Sequence, residues 1–251
     1  MAIRVVCRTD SGRQRDHNED SLLADPEAGL FAVADGMGGH EAGEVASAMA
    51  LAALREALAP RDRSPAARGT PALEVLAEGV RVANHQVFEV GRHRPAEARM
   101  GTTLVTTLIR DGEAVFASVG DSRIYRVRDE MLDQLSRDHS LVGELVARGE
   151  MTQEEARHSP HKHVITRALG VEPAVEVDAW SEALKPGDLF LLCSDGLTDE
   201  VTDPEILDTL LAGGPDLEAA CQALIDLANR RGGRDNITAL LVRYEAVPAS
   251  T

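Results

Sequence analysis

TTLVTTLIRDGEAVFASVGDSRIYRVRDEMLDQL, residues 102–135, is broken by the turn signals Asp111-Gly112, Gly120-Asp121 and Asp129-Glu130. Between them lie runs rich in β-branched and aromatic residues: Thr102–Ile109, Ala114–Val119, Arg123–Val127 and Met131–Leu135. Short apolar runs separated by such dipeptides read as strands joined by tight turns, so the stretch predicts an antiparallel meander. Working outward, Ile3–Thr9 alternates as a half-buried strand does, and Leu30–Ala34 (LFAVA) is wholly apolar, as in a strand buried on both faces. Strands are also expected at Val175–Ala179, Asp188–Cys193 and Ile237–Tyr244. Helices are expected at Glu41–Leu58, which is rich in good helix formers and lacks Gly or Pro after Gly43, and at Ala72–Val90, Pro204–Leu211 and Asp216–Arg230. The Pro- and Arg-rich stretch Ala59–Thr70 reads as an exposed connection, and residues 138–170, with His139, His158, His161 and His163, as an insertion over one end of the sheets. Helices come in pairs and strands outnumber them. The economical α+β architecture is two packed sheets flanked by helix pairs.

The chain has 251 residues, 43% of them apolar, enough for one large core without a linker. Its formal charge of −16 repels a phosphate backbone, and 3% aromatic residues leave few platforms for bases, so nucleic-acid binding is not expected. The longest near-apolar stretch, Val45–Leu54, falls well short of the roughly 18 to 20 residues that cross a bilayer. The opening MAIRVVCRTD has no secretory apolar segment, which makes the cytoplasm the expected compartment. Cys7, Cys193 and Cys221 are far apart and read as buried thiols rather than a disulfide or zinc framework. No heptad or exposed apolar segment suggests an interface, and a monomer is expected.

Asp-containing turns recur at strand ends: NED (18–20), ADG (34–36), GDS (120–122) and SDG (194–196), with Asp235-Asn236 just ahead of the last strand. Two carboxylates about 4 Å apart repel by roughly 4 kcal/mol at an effective dielectric of 20, so several converging on one sheet edge need cations. An all-oxygen donor set suits Mg²⁺ or Mn²⁺ better than Zn²⁺ or Cu²⁺. A pair of such ions about 3.5 to 4 Å apart activates water and clamps both oxygens of a phosphoryl displacement. Arg15, five residues before Asp20, can reach the same edge and grip phosphate oxygens bidentately.

GRQRDHNED (12–20), VADGMGGHEAGEVAS (33–47), MGTT (100–103), GDSRIY (120–125), ITRALG (165–170), LCSDGLTD (192–199) and RDNIT (234–238) together resemble the type 2C metal-dependent serine/threonine protein phosphatases, specifically the short bacterial branch. The resemblance spans nearly the whole chain. It implies a four-layer αββα sandwich forming one catalytic domain over residues 1–245, with a flap at about 138–170 and a tail at 246–251. It also implies two Mn²⁺ or Mg²⁺ ions: Asp35 bridging both, the Gly36 carbonyl on one, Asp195 and Asp235 on the other, and Glu19 and Asp20 acting through bound waters. Asp121 matches the position of a third metal, and His163 lies near a flap position that contributes to it. The implied reaction is direct attack of a metal-bridging hydroxide on phosphoserine or phosphothreonine, without a phosphoenzyme, reversing a bacterial serine/threonine kinase. The partners are then phosphorylated proteins and that kinase. Eukaryotic relatives carry His directly after the Asp-Gly; here that position is Met37, and His40 is the natural substitute as general acid, with a metal-bound water as the other choice.

Two other functional classes fit the sequence less well. A silent phosphoprotein-binding domain would be marked by a lost metal ligand, and none is lost. A phosphotransferase is disfavoured because neither Lys162 nor Lys185 lies in a phosphate-binding GxxxxGK[ST] loop. Cys193 is not a phosphatase nucleophile, since six residues later stands Asp199 rather than Arg.

Overall fold

The computed structural model describes residues 2–38, 42–59, 71–95 and 100–245; the expected connection beyond Ala59, His40 and the tail 246–251 lie outside the described residues. In chain order, β1 (Ala2–Asp10), β2 (Asp20–Asp25) and β3 (Leu30–Gly38) lead to helices α1 (Ala42–Leu58) and α2 (Ala72–Gly91). Then come β4 (Met100–Thr102), β5 (Leu104–Arg110), β6 (Glu113–Val119), β7 (Arg123–Arg128) and β8 (Met131–Gln134). The flap carries two short helices, α3 (Leu141–Ala147) and α4 (Gln153–His158). Strands β9 (Asp178–Ala183) and β10 (Leu189–Cys193), helices α5 (Asp195–Thr198), α6 (Asp203–Gly213) and α7 (Leu217–Arg231), and strand β11 (Ile237–Glu245) complete the order.

The strands form two antiparallel sheets, β1-β11-β10-β7-β8 and β2-β3-β5-β6-β9, with β4 paired to the end of β3. Strand β3 shows why they stack. Its side chains alternate, so Leu30, Ala32 and Ala34 enter the core under α1 and α2, while Phe31 and Val33 enter the core between the sheets. Phe116 of β6 stacks on Trp180 at 5.4 Å and tilts against Phe190 of the other sheet at 5.3 Å, filling that inter-sheet layer. The outer face of the first sheet is covered by α6 and α7 through Leu191, Ile206, Leu210, Leu224 and Ala239. Helix–sheet–sheet–helix is the layer order expected from the motifs.

Small residues let α1 lie close to its neighbours: Ala42, Ala46, Ala50 and Ala53 are buried, and a Cβ on Gly79 of α2 would sit 3.2 Å from Leu54. The last two helices begin at side-chain caps. The Asp216 carboxylate accepts the Ala219 N–H, and Thr202 and Glu205 form a capping box. Cys193 and Cys221 are buried as expected, whereas Cys7 is only half-buried.

Three expectations are corrected. The four strands of residues 102–135 are not one meander: β5 and β6 pair in one sheet, β7 and β8 in the other. Both edges of β6 are already taken by β5 and β9, so β7 finds its partners in β10 and β8. The crossing is made at Gly120, whose φ of +104° favours glycine and where an added Cβ would lie 2.6 Å from Thr103 Cβ. Asp20, expected in the NED turn at 18–20, instead opens strand β2 (Asp20–Asp25), for which no strand was expected, registered against β3. The strand expected at Val175–Ala179 lies at Asp178–Ala183, where DAWSEA pairs with β6 as an edge strand; Asp178 and Glu182, on the face of Trp180, are half-buried and pair with Arg167 and Arg126.

Candidate active site

Loops from both sheets meet at one edge of the sandwich, around a cleft of about 410 Å³ lined by Arg15, Glu19, Asp35, Gly36, His163, Asp195 and Asp235, among others. Asp20 and Asp35 arrive on β2 and β3 of one sheet, Asp195 directly after β10 and Asp235 directly before β11 of the other. Asp121 sits where the chain crosses between the sheets and lines an adjoining cavity of about 350 Å³ under the flap, of which Asp195 is a shared wall. Thus Arg15, Glu19, Gly36 and the carboxylates come together from separate parts of the chain.

The backbone around Asp35 is held at several points. Its N–H donates to Thr103 Oγ1 at 3.0 Å, and its carbonyl accepts from Thr102 Oγ1 and from the Thr103 N–H, each at 2.8 Å. This accounts for the MGTT motif. A Cβ on Gly36 would lie 2.1 Å from the Gly43 carbonyl oxygen and 2.6 Å from that of Glu19, so glycine is what lets β3, the Glu19 segment and the start of α1 close together.

The electrostatics are those of a crowded anionic site. Burial, then the charges of Asp20, Asp195, Asp121 and Asp235, hold the Asp35 carboxyl well above the usual carboxylate range. Burial raises Asp20 to about 7 against the bonds from Thr238 and Ser194, and raises Asp195 to about 7 with Asp199 and Asp235 adding to the effect. Asp121 is pushed well up by burial and then by Asp195, and Glu19 is raised by burial against the pull of Arg15. Asp20 Oδ2 accepts from Ser194 Oγ at 2.7 Å and Thr238 Oγ1 at 2.6 Å, while its Oδ1, like Asp121 Oδ1, is buried with no hydrogen-bond partner. Orphaned, buried carboxylate oxygens in an all-oxygen cluster fit hard divalent cations.

Cations of the chain balance the rim. Arg15 Nη2 donates to Asp235 Oδ2 at 2.6 Å, and Lys162 Nζ to Asp199 Oδ2 at 2.7 Å. His163 Nδ1 lies 3.6 Å from Asp199 Oδ2, and His163, Asp195 and Asp199 each offer a ligand atom within 4.8 Å of the others. Behind the rim, buried Glu200 takes Arg234 Nε at 2.7 Å and Nη2 at 3.0 Å. Asp199, Lys162, Glu200 and Arg234 were not anticipated from the sequence. Asp199 had a local signal, since it follows Asp195 by four residues, one helical turn, whereas the other pairings join distant segments.

The flap is anchored from below. His139, read only as part of the insertion, is buried; its Nδ1 accepts the Gly120 N–H at 3.1 Å and its Nε2 faces Asp178 Oδ2 at 3.3 Å, which selects the Nε2–H tautomer. Beside it Arg123, well buried, is gripped by both oxygens of Asp138 and bonded to the Tyr125 hydroxyl.

A profile of the family described as Protein phosphatase 2C matches residues 10–241. The chain belongs to that family. Among its relatives, the chain is 40% identical over 242 residues to the serine/threonine phosphatase stp of Listeria monocytogenes serotype 4b, covering 95% of this chain and 94% of that protein. The crystal structure of the Mycobacterium tuberculosis serine/threonine phosphatase PstP/Ppp superposes with a TM-score of 0.87 at 39% identity, covering 98% and 100% of the two chains. A crystal structure of the PstP catalytic domain in complex with two manganese ions gives 0.84 at 39% identity over 97% and 99%. The protein phosphatase 2C fold and this family's four-layer arrangement are therefore those of the present chain.

Proposed function

We propose that this protein is a metal-dependent phosphoserine/phosphothreonine protein phosphatase whose catalytic domain spans residues 1–245, acting in the cytoplasm on phosphoproteins made by a cognate serine/threonine kinase. The observation that carries this is the convergence of Asp20, Asp35, Asp195 and Asp235 from two sheets beside Arg15. Asp35, the Gly36 carbonyl, Asp195 and Asp235 would hold two Mn²⁺ or Mg²⁺ ions, with Glu19 and Asp20 reaching them through water and Asp121 holding a third. Bound there, divalent cations supply positive charge to the phosphoryl oxygens and lower the pKa of a water.

The chain supplies the rest. Arg15, half-exposed at the rim, exchanges its Asp235 partner for phosphate oxygens, which it grips in the bound substrate as well as in the transition state. Ser194 and Thr238 fix one oxygen of Asp20, leaving the other free to orient water. Thr102 and Thr103 keep Asp35 at its place on β3. Lys162 and His163, both facing Asp199, bring the flap to the cleft mouth, where a phosphopeptide would pass. His40 is the chain's own candidate to protonate the leaving serine or threonine oxygen.

The test is hydrolysis of a phosphothreonine peptide and of p-nitrophenyl phosphate by metal-stripped protein with Mn²⁺, Mg²⁺, Zn²⁺ or Ca²⁺ added back. Activity restored by Mn²⁺ or Mg²⁺ and lost in Asp35→Asn supports the reading. A folded sample inactive with every ion overturns it in favour of a phosphoprotein-binding domain.

A further inference from the structure

The segment that carries Arg15 leaves one sheet at Asp10, opposite Ile237, and enters the other at Asp20, opposite Asp35. Between them it has no strand or helix of its own. The Arg15 side chain is half-exposed and pairs with Asp235, a residue whose carboxylate the phosphatase reading commits to a cation. Something else must hold the guanidinium in place once that carboxylate is engaged.

Asn236 is built for this. It is 4% exposed, and its carboxamide makes three bonds: Nδ2 donates to the carbonyls of Ser11 at 3.1 Å and His17 at 2.8 Å, and Oδ1 accepts the Glu19 N–H at 2.8 Å. These partners flank Arg15 on both sides, so one side chain pinches the connection shut. The Arg13 N–H adds a bond to the Gly233 carbonyl at 2.7 Å, and Gly12, at φ +80°, brings the turn so close that a Cβ there would lie 2.3 Å from the Asp235 carbonyl oxygen. The loop is thus fastened by backbone groups, while the side chain at its apex stays free to change partner.

We propose that Asn236 is a positioning residue for Arg15: its carboxamide fixes the 11–19 connection so that the guanidinium is presented to the substrate phosphate. The inference rests on the phosphatase reading for the role of Arg15, while the tether itself is tested separately. In the Mn²⁺-loaded full chain, Asn236→Ala should accelerate amide hydrogen exchange over residues 11–19 and leave β3 and β10 unchanged. It should lower kcat/KM for a phosphothreonine peptide about ten-fold, chiefly through KM, as loss of a charge-assisted hydrogen bond does. Added to Arg15→Ala it should cost nothing more, because both act through one group. Mn²⁺ affinity should stay near that of the parent protein. Gly12→Ala, which pries the same loop away without touching the carboxamide, should give the same pattern and carries the test if Asn236→Ala does not fold. Unchanged exchange over 11–19 overturns the tether. Additive losses with Arg15→Ala, or a KM effect removed by excess Mn²⁺, overturns the link to Arg15. A parent protein without turnover overturns the phosphatase reading instead, and the exchange result still decides the tether.

Discussion

Asp20 and Asp35 stand directly opposite one another on adjacent antiparallel strands. Like charges at directly paired positions weaken a sheet, and here Asp20 is buried and Asp35 half-buried at its edge beside Asp195. Such a pairing persists only where protons or cations neutralise it.

The first prediction is a pH dependence of the metal-free protein. Asp20 and Asp195 are raised from 3.8 to about 7 in the fold, so between those values the folded chain holds protons that the unfolded chain has released. Their stabilising contribution is complete below about 3.8 and is lost as pH rises through about 7. With chelator present, the thermal midpoint should therefore fall from pH 6 to pH 8, and Mn²⁺ should remove most of that fall. A chelated midpoint that rises over this window would contradict the charge assignment.

Asp195→Asn should separate stability from activity. It removes one repelling carboxylate, so the metal-free variant at pH 8 should melt higher by a few degrees, the response to roughly 1 kcal/mol in a chain of this size. Phosphatase activity should be lost at every Mn²⁺ concentration. Differential scanning fluorimetry and peptide hydrolysis on one preparation check both halves.

Removing the guanidinium of Arg15 should cost about 1.5 to 3 kcal/mol of transition-state binding, or roughly ten- to 150-fold in kcat/KM. Arg15→Lys keeps the charge but loses the bidentate fork and should recover only part of it. Steady-state kinetics on the phosphopeptide would expose an error here as equal rates for the Lys variant and the parent.

Gly36→Ala should fail structurally. The added methyl meets backbone oxygens at 2.1 and 2.6 Å, and neither carbonyl can rotate away without parting β3 from α1. A loss of about 1 to 3 kcal/mol or more is expected, read as a lowered midpoint whether or not Mn²⁺ is present.

Asp138→Ala should destabilise by about 3 kcal/mol, because buried Arg123 then keeps its charge without its fork partner. The loss should be seen in urea midpoints, and Asp138→Asn, which still offers an acceptor, should lose less.

The elements legible in the sequence are those whose pattern is local. LFAVA announces a strand buried on both faces, and Ala42–Leu58 a close-packed helix, because burial writes itself into consecutive residues. DSLLAD was missed because its side chains are mostly half-buried and its charged ends resemble a turn. The passage of β6 into β7 was misread because Gly120-Asp121 signals a reversal without saying which sheet receives the chain. At the site, the Asp turns were visible since each carries its own signal. The Ser194–Asp20–Thr238 bonds, the grip of Asn236 on residues 11–19 and the Glu200–Arg234 pair join segments far apart in sequence, and no local pattern marks them.

Because half of the carboxylates ride on one sheet and half on the other, the site works as a caliper on the sandwich. A slip of one residue between the sheets is a displacement of about 3.3 Å, many times the tolerance of about 0.2 Å that metal–oxygen distances allow. If these carboxylates hold the cations as proposed, sliding of the layers is thereby closed to this enzyme as a means of adjusting its rate. Adjustment is left to the parts that do not bear the gauge: the flap hung on Asp199 and the side chain of Arg15.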